Sequence, residues 1–79
     1  MLKAYVLITT ETDAVDSVLE SLKKMDYIKE TYTVYGVYDI IATVEAETMD
    51  KLNEIVALNL RSIDKVKSTL TMIVAEETK

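Results

Sequence analysis

The stretch Tyr35-Gly36-Val37-Tyr38-Asp39-Ile40-Ile41-Ala42-Thr43-Val44-Glu45-Ala46 decides how the chain folds. It holds the only glycine of a 79-residue chain that has no proline. On the far side of Gly36, Ile40, Ala42 and Val44 fall on one face of an extended segment, which predicts a strand over Tyr38–Ala46. On the near side, Tyr27–Tyr35 is rich in β-branched and aromatic residues and predicts a strand as well. With so short an interval between them, a hairpin is the simplest join. Gly36 supplies the positive φ that such a turn needs, and Asp39 is placed to accept a bond from the hairpin backbone.

The same reading extends outward in both directions. Leu2–Thr10 predicts a strand, with Ala4, Val6 and Ile8 on one face and Tyr5 and Leu7 on the other. Asp13–Met25 predicts a helix with a stripe of Val15, Val18, Leu19, Leu22 and Met25, started by Thr12 or Asp13 as cap. Thr48 caps a second helix that runs to about Leu60 and buries Met49, Leu52, Ile55, Val56 and Leu60. Val66–Ala75 closes the pattern as a strand, before a polar tail at Glu76–Lys79. Strand, helix, strand, strand, helix, strand is the split-βαβ arrangement. The expected fold is therefore α+β and ferredoxin-like, an antiparallel sheet with both helices on one face, as one domain over residues 1–79.

The bulk composition excludes several functions. There is no Cys and no His. Disulfides and the usual zinc, haem and iron–sulfur ligands are therefore missing, and no metal or other cofactor is expected. The commonest general base and the strongest nucleophile are missing too, and the expectation is a protein that is not an enzyme. The net charge of −5, with the nine basic residues scattered, offers no face for phosphates, so no direct contact with nucleic acid is expected. No apolar run is long enough to span a bilayer, and the N-terminal residues lack the features of a secretion signal. A cytoplasmic protein with no membrane partner is the expectation.

A domain this small buries only about 60–65% of its unfolded surface. With no disulfide or metal available, self-association is the remaining means of support. Tyr5, Leu7, Tyr35, Ile41 and Ile73 fall out of phase with the main aliphatic rows and predict an apolar patch on the sheet face away from the helices. The last strand carries no charge, Gly or Pro from Ser68 to Ala75, so as a sheet edge it is open to pairing. Leu58 lies off the buried stripe of the second helix.

Two readings of Tyr35–Asp39 stand side by side: a structural turn, or a small-ligand loop in which Gly36 lets a ligand approach the backbone and Asp39 receives an ammonium group. The segment YTVYGVYDIIATVEAETMDKLNEIV followed by VKSTLTMIV resembles the effector domain of the Lrp/AsnC family of transcriptional regulators, the regulation of amino acid metabolism domain. Gly36, Tyr38 and Asp39 match the family's Gly-x-Tyr-Asp motif, and Val66, Thr69 and Thr71 match its Val-x-x-Thr-x-Thr strand. AYVLITTE at the start resembles the family's first strand.

The resemblance implies subunits packed sheet to sheet as in dimeric α+β barrels, and dimers joined into rings, octamers or decamers. A small amino acid would bind between dimers. Gly36, Val37, Tyr38 and Asp39 would line that pocket, with Thr69 and Thr71 as further members. The chain begins directly at the first strand rather than at a helix-turn-helix domain, which makes it similar to a stand-alone form of the effector domain. Such a form would modulate transcription or amino acid metabolism without binding DNA, alone or by mixing with a full-length Lrp/AsnC regulator. Where the family often has a glycine before the last strand, this chain has Ile63-Asp64-Lys65.

Overall fold

The computed structural model describes residues 1–75, so the tail at 76–79 lies outside the described residues. Four strands, β1 (Leu2–Thr10), β2 (Ile28–Thr33), β3 (Ile40–Ala46) and β4 (Val66–Ile73), form one antiparallel sheet in the order β2-β3-β1-β4. Helix α1 (Val15–Lys23) connects β1 to β2. Helix α2 (Met49–Glu54), which continues as a π-helical segment over Ile55–Leu60, connects β3 to β4. The ferredoxin-like βαββαβ order read from the sequence is the order observed.

Register explains which face each helix covers. Ala4, Val6 and Ile8 of β1 stand opposite Val44, Ala42 and Ile40 of β3. All six are fully buried, together with Val18 and Leu22 of α1 and Leu52, Ile55 and Leu60 from α2 and its continuation. Because strand side chains alternate, these six define one sheet face, and both helices pack on it. Burying a Leu or Ile of this kind stabilises the fold by about 1.5–3 kcal/mol.

Strand β1 and the span of the second helix are as the sequence predicts, while α1, β2, β3 and β4 are shorter. Helix α1 starts two residues late. Asp13 takes φ +62° and the Ala14 amide bonds the Glu11 carbonyl at 3.1 Å. This turn puts Ala14 at the cap position, with no side-chain cap bond from Thr12 or Asp13. Thr48 does cap α2, its hydroxyl accepting from the Lys51 amide at 3.1 Å. Met49, expected in the stripe, is instead exposed, since it lies in the first turn and outside the core.

The second half of that helix departs from α geometry. The Arg61 amide bonds the Val56 carbonyl five residues back. Ile55 and Leu60 are themselves five residues apart, too far for one 3.6-residue turn, and the wider π-helical turn lets both enter the core.

The open sheet face is only partly the one expected. Tyr5, Leu7 and Ile41 lie on it. Register adds Leu70 opposite Leu7, Met72 opposite Tyr5 and Tyr32 opposite Ile41. Tyr32, Leu70 and Met72 are each close to half exposed, too much apolar surface in one place for isolated surface residues. Two expected members are absent. Ile73 pairs with Ala4 and so sits on the helix side of edge strand β4, and Tyr35 is in a loop, fully exposed. Leu58 is exposed, as its position off the helix stripe predicts. β4 is an edge strand, as the sequence pattern anticipates.

Candidate functional site: the loop between β2 and β3

The connection between β2 and β3 is a loop over residues 34–39 rather than a tight hairpin. It is closed at its base by the Val34 amide bonding the Asp39 carbonyl at 3.0 Å. Gly36 sits at φ +143°, a conformation that costs any residue with a Cβ, while nothing lies within 4 Å of the position a Cβ would take. Its role is thus set by the backbone and not by crowding. Tyr35 and Val37 on either side project fully into solvent.

Asp39 ends the loop and ties it to β1. Its own amide donates to the Ile8 carbonyl at 2.9 Å. Its Oδ2 accepts the Thr10 amide at 2.9 Å, with the Thr10 hydroxyl 3.4 Å away. Thr10 is where the β1–β4 register shifts, and the next amide, that of Glu11, bonds the Lys65 carbonyl at 2.9 Å. One carboxylate therefore ties the loop to the end of β1, next to the backbone bond that joins Glu11 to the entry of β4. The sequence reading placed Asp39's partner in the hairpin backbone. The partner is instead Thr10, because β1 lies beside β3 in the sheet and its end reaches the loop's base.

A surface cleft of about 260 Å3 opens beside the loop, lined by Val15, Thr33, Val34, Tyr35 and Asp39. Its apolar wall and single carboxylate are the chemistry that an ammonium group on an apolar body would meet. Of the loop residues singled out in the sequence, Asp39 borders this cleft, Tyr38 is half-buried beside it in the chain, and Gly36 and Val37 form the exposed tip. Thr69 and Thr71 pair with Ile8 and Val6 on the helix side of β4. Strand β1 stands between them and the loop, a separation of about 10 Å for two strand spacings. One chain therefore does not bring those threonines into the cleft. Sequence reasoning missed Thr10. The only signal for it was its place at the end of the predicted first strand.

A larger cleft, of about 520 Å3, lies at the opposite end of β3. Among the described residues no group of acidic side chains is arranged to hold a metal ion. On the open face, the Glu30 carboxylate beside Tyr32 raises the tyrosine's pKa above its ordinary value through charge repulsion and a side-chain hydrogen bond. No described helix is long and apolar enough to cross a membrane.

The family model of the Lrp/AsnC ligand binding domain matches residues 3–79, and the chain belongs to that family. Two of its relatives differ in kind. The regulatory protein AsnC of Escherichia coli K12 is 32% identical over 60 residues, which covers 76% of this chain and 40% of AsnC. A homocitrate synthase of Sulfurisphaera tokodaii is 36% identical over 61 residues, covering 77% of this chain and 13% of the enzyme. The chain thus spans well under half the length of either relative. Among solved structures, FFRP-DM1 superposes with a TM-score of 0.91 at 35% identity, over 94% of this chain and 99% of that one. A transcriptional regulator of Neisseria meningitidis, solved as a complex with L-Met, gives a TM-score of 0.91 at 20% identity, over 99% of this chain and 52% of the regulator. At that identity the likeness shows the shared fold.

Proposed function

We propose that this chain is an amino-acid effector-binding and assembly domain that modulates regulation without itself contacting DNA or catalysing a reaction. The observation that carries the reading is that segments similar to this chain occur both in a regulatory protein, AsnC, and in a homocitrate synthase. What such different proteins can share through this segment is response to an effector, not DNA contact and not catalysis. The composition agrees, since the chain has neither His nor Cys and a net charge of −5. The L-Met complex of the Neisseria regulator supports an amino acid as the ligand class.

In this reading the ligand's ammonium group meets Asp39, whose Oδ2 is engaged by Thr10 while Oδ1 faces no donor among the described residues. Gly36, Val37 and Tyr38 supply backbone and side-chain contacts. Thr69 and Thr71 join from another subunit, because in one chain they stand apart from the loop. Assembly is by the apolar open face of the sheet, and dimers join into rings of eight or ten chains. The energetic link is plain: a ligand shifts assembly by its difference in affinity for the two states, and a pocket between subunits has such a difference built in.

The test is a 15N-resolved NMR titration with L-methionine and the other common amino acids. Saturable shifts at residues 34–39, reduced by Asp39→Asn, are expected for at least one of them. No localised shift with any amino acid at millimolar concentration contradicts the effector reading. The 32% identity to AsnC favours one second reading, a ligand-free module that mixes with a full-length regulator. Co-purification of such a regulator, unaffected by any amino acid, is its signature.

A further inference from the structure

The cleft beside the loop holds more than a carboxylate. Thr33 stands opposite Ile40, a residue of the buried row, so the cleft opens on the helix side of the sheet, between the end of β2 and the start of α1. Stacking of open sheet faces leaves it accessible.

Two valines form its inner wall, and both are held in place. Val15 is the first residue of α1 and packs, half-buried, against the core. The turn before it is fixed by the Ala14 amide on the Glu11 carbonyl at 3.1 Å, and the helix start by the Val18 amide on the Ala14 carbonyl at 3.0 Å. Val34, also half-buried, is fixed by its amide on the Asp39 carbonyl at 3.0 Å. Thr33 and Tyr35, the remaining neighbours of Asp39 in the lining, are exposed and stand at the rim. Neither valine belongs to the Gly-x-Tyr-Asp motif or to the Val-x-x-Thr-x-Thr strand.

The charges here are one-sided. Asp39 is the only charged residue among the described residues that line the cleft. The three segments that meet at this end of the sheet, residues 10–18, 33–40 and 63–66, carry Glu11, Asp13, Asp16, Asp39 and Asp64 against one cation, Lys65. The positive end of α1 is already met by Asp16 in its first turn. A carboxylate on the inner wall finds no cation to receive it. A carboxamide there gives up its water without gaining a partner. An aliphatic group loses nothing and gains contact with both valines.

We propose that Val15 and Val34 form the side-chain subsite of the loop site, and that Val15 makes the site selective for an amino acid with an aliphatic side chain over one with a carboxamide or carboxylate of the same shape. The inference rests on the effector reading above, in which the ligand's ammonium meets Asp39. The α-carboxylate turns to the loop backbone, where the amides of residues 36–38 donate to no backbone acceptor among the described residues. The side chain then lies along the two valines.

Leucine, asparagine and aspartate test this selectivity, because their side chains branch alike while one is apolar, one polar and one charged. Each is titrated into the 15N-labelled chain. Leucine is expected to give saturable shifts at residues 15–18 as well as 34–39, and to bind about 10-fold or more tighter than asparagine. Aspartate is expected to bind more weakly than either. Val15→Thr keeps the branched shape and puts a hydroxyl on the wall. It is expected to lower the ratio of leucine to asparagine affinity about 3-fold or more, whereas a loss of structure alone weakens both ligands and leaves the ratio unchanged. The ranking of the three amino acids in the parent chain decides the matter where Val15→Thr fails to fold. Asparagine or aspartate binding as tightly as leucine, leucine shifts confined to residues 34–39, or an unchanged ratio in folded Val15→Thr overturns this inference and leaves the effector reading standing. Silence of residues 34–39 toward every amino acid overturns the effector reading, and this inference with it.

Discussion

Replacing Asp39 by alanine removes the acceptor that holds the Thr10 amide at 2.9 Å. Thr10 is only 7% exposed, so its N–H is left with neither the carboxylate nor free access to water. A hydrogen bond to a charged group, lost in a part-buried position, costs about 1.5–3 kcal/mol. A chain of this length has a total stability of about 4–12 kcal/mol, so Asp39→Ala is expected to remain folded with a clearly lower urea midpoint. Asp39→Asn keeps an amide oxygen where Oδ2 stands and loses only the charge assistance, so its expected cost is about half as large. Thr10→Val deletes a hydroxyl that lies 3.4 Å from the carboxylate and keeps the main-chain donor, so it should cost least of the three.

The assay is equilibrium urea unfolding at one fixed protein concentration, because assembly links stability to concentration. If alanine costs under about 0.5 kcal/mol, or asparagine costs as much as alanine, the clip between loop and β1 is not what holds this end of the sheet. The same pair of variants guides binding experiments. Asparagine is the substitution that separates Asp39's structural bond from any role in receiving an ammonium group.

Three further outcomes follow from the same geometry. Gly36→Ala should destabilise the chain by about 1–3 kcal/mol through φ strain, with no change in side-chain signals beyond Tyr35 and Val37, since no atom other than those of residues 35–37 lies within 4 Å of the added methyl; thermal melts and NMR spectra check both halves. Leu70→Lys, on the open sheet face beside Leu7, should reduce the assembled species by size-exclusion chromatography while the circular dichroism spectrum is kept, because burying an unpaired charge in an interface is costly. Thr43→Val should stabilise the chain by about 1 kcal/mol in urea, because the Thr43 hydroxyl is buried and has no partner, so its removal relieves a desolvation cost.

The parts legible in the sequence were those governed by alternation. The buried row Ala4, Val6 and Ile8, its partners Ile40, Ala42 and Val44, the Thr48 cap and the element order all follow from local periodicity and cap chemistry. The family motif around Gly36 was equally visible, since a lone glycine between two strand patterns marks the place where the chain must turn. What was not legible depends on neighbours distant in sequence. The Asp39–Thr10 bond spans 29 positions, and nothing near Asp39 names Thr10 as its partner. The shift of Ile73 to the helix side follows from register against Ala4, which no pattern within β4 fixes. The π-helical turn arises from a five-residue interval between two core residues, and periodicity had smoothed it into an ordinary helix stripe. The Tyr27–Asn59 pair, 32 positions apart, was invisible for the same reason as Thr10.

The central claim, that this chain assembles and that an amino acid binds within the assembly, is tested most directly by native mass spectrometry with and without amino acids, L-methionine first among them. The expected result is a species larger than a dimer that either carries amino-acid mass in proportion to its subunits or changes size when the amino acid is added. A monomer under all conditions, or a ring of fixed size that never acquires ligand mass, contradicts the claim.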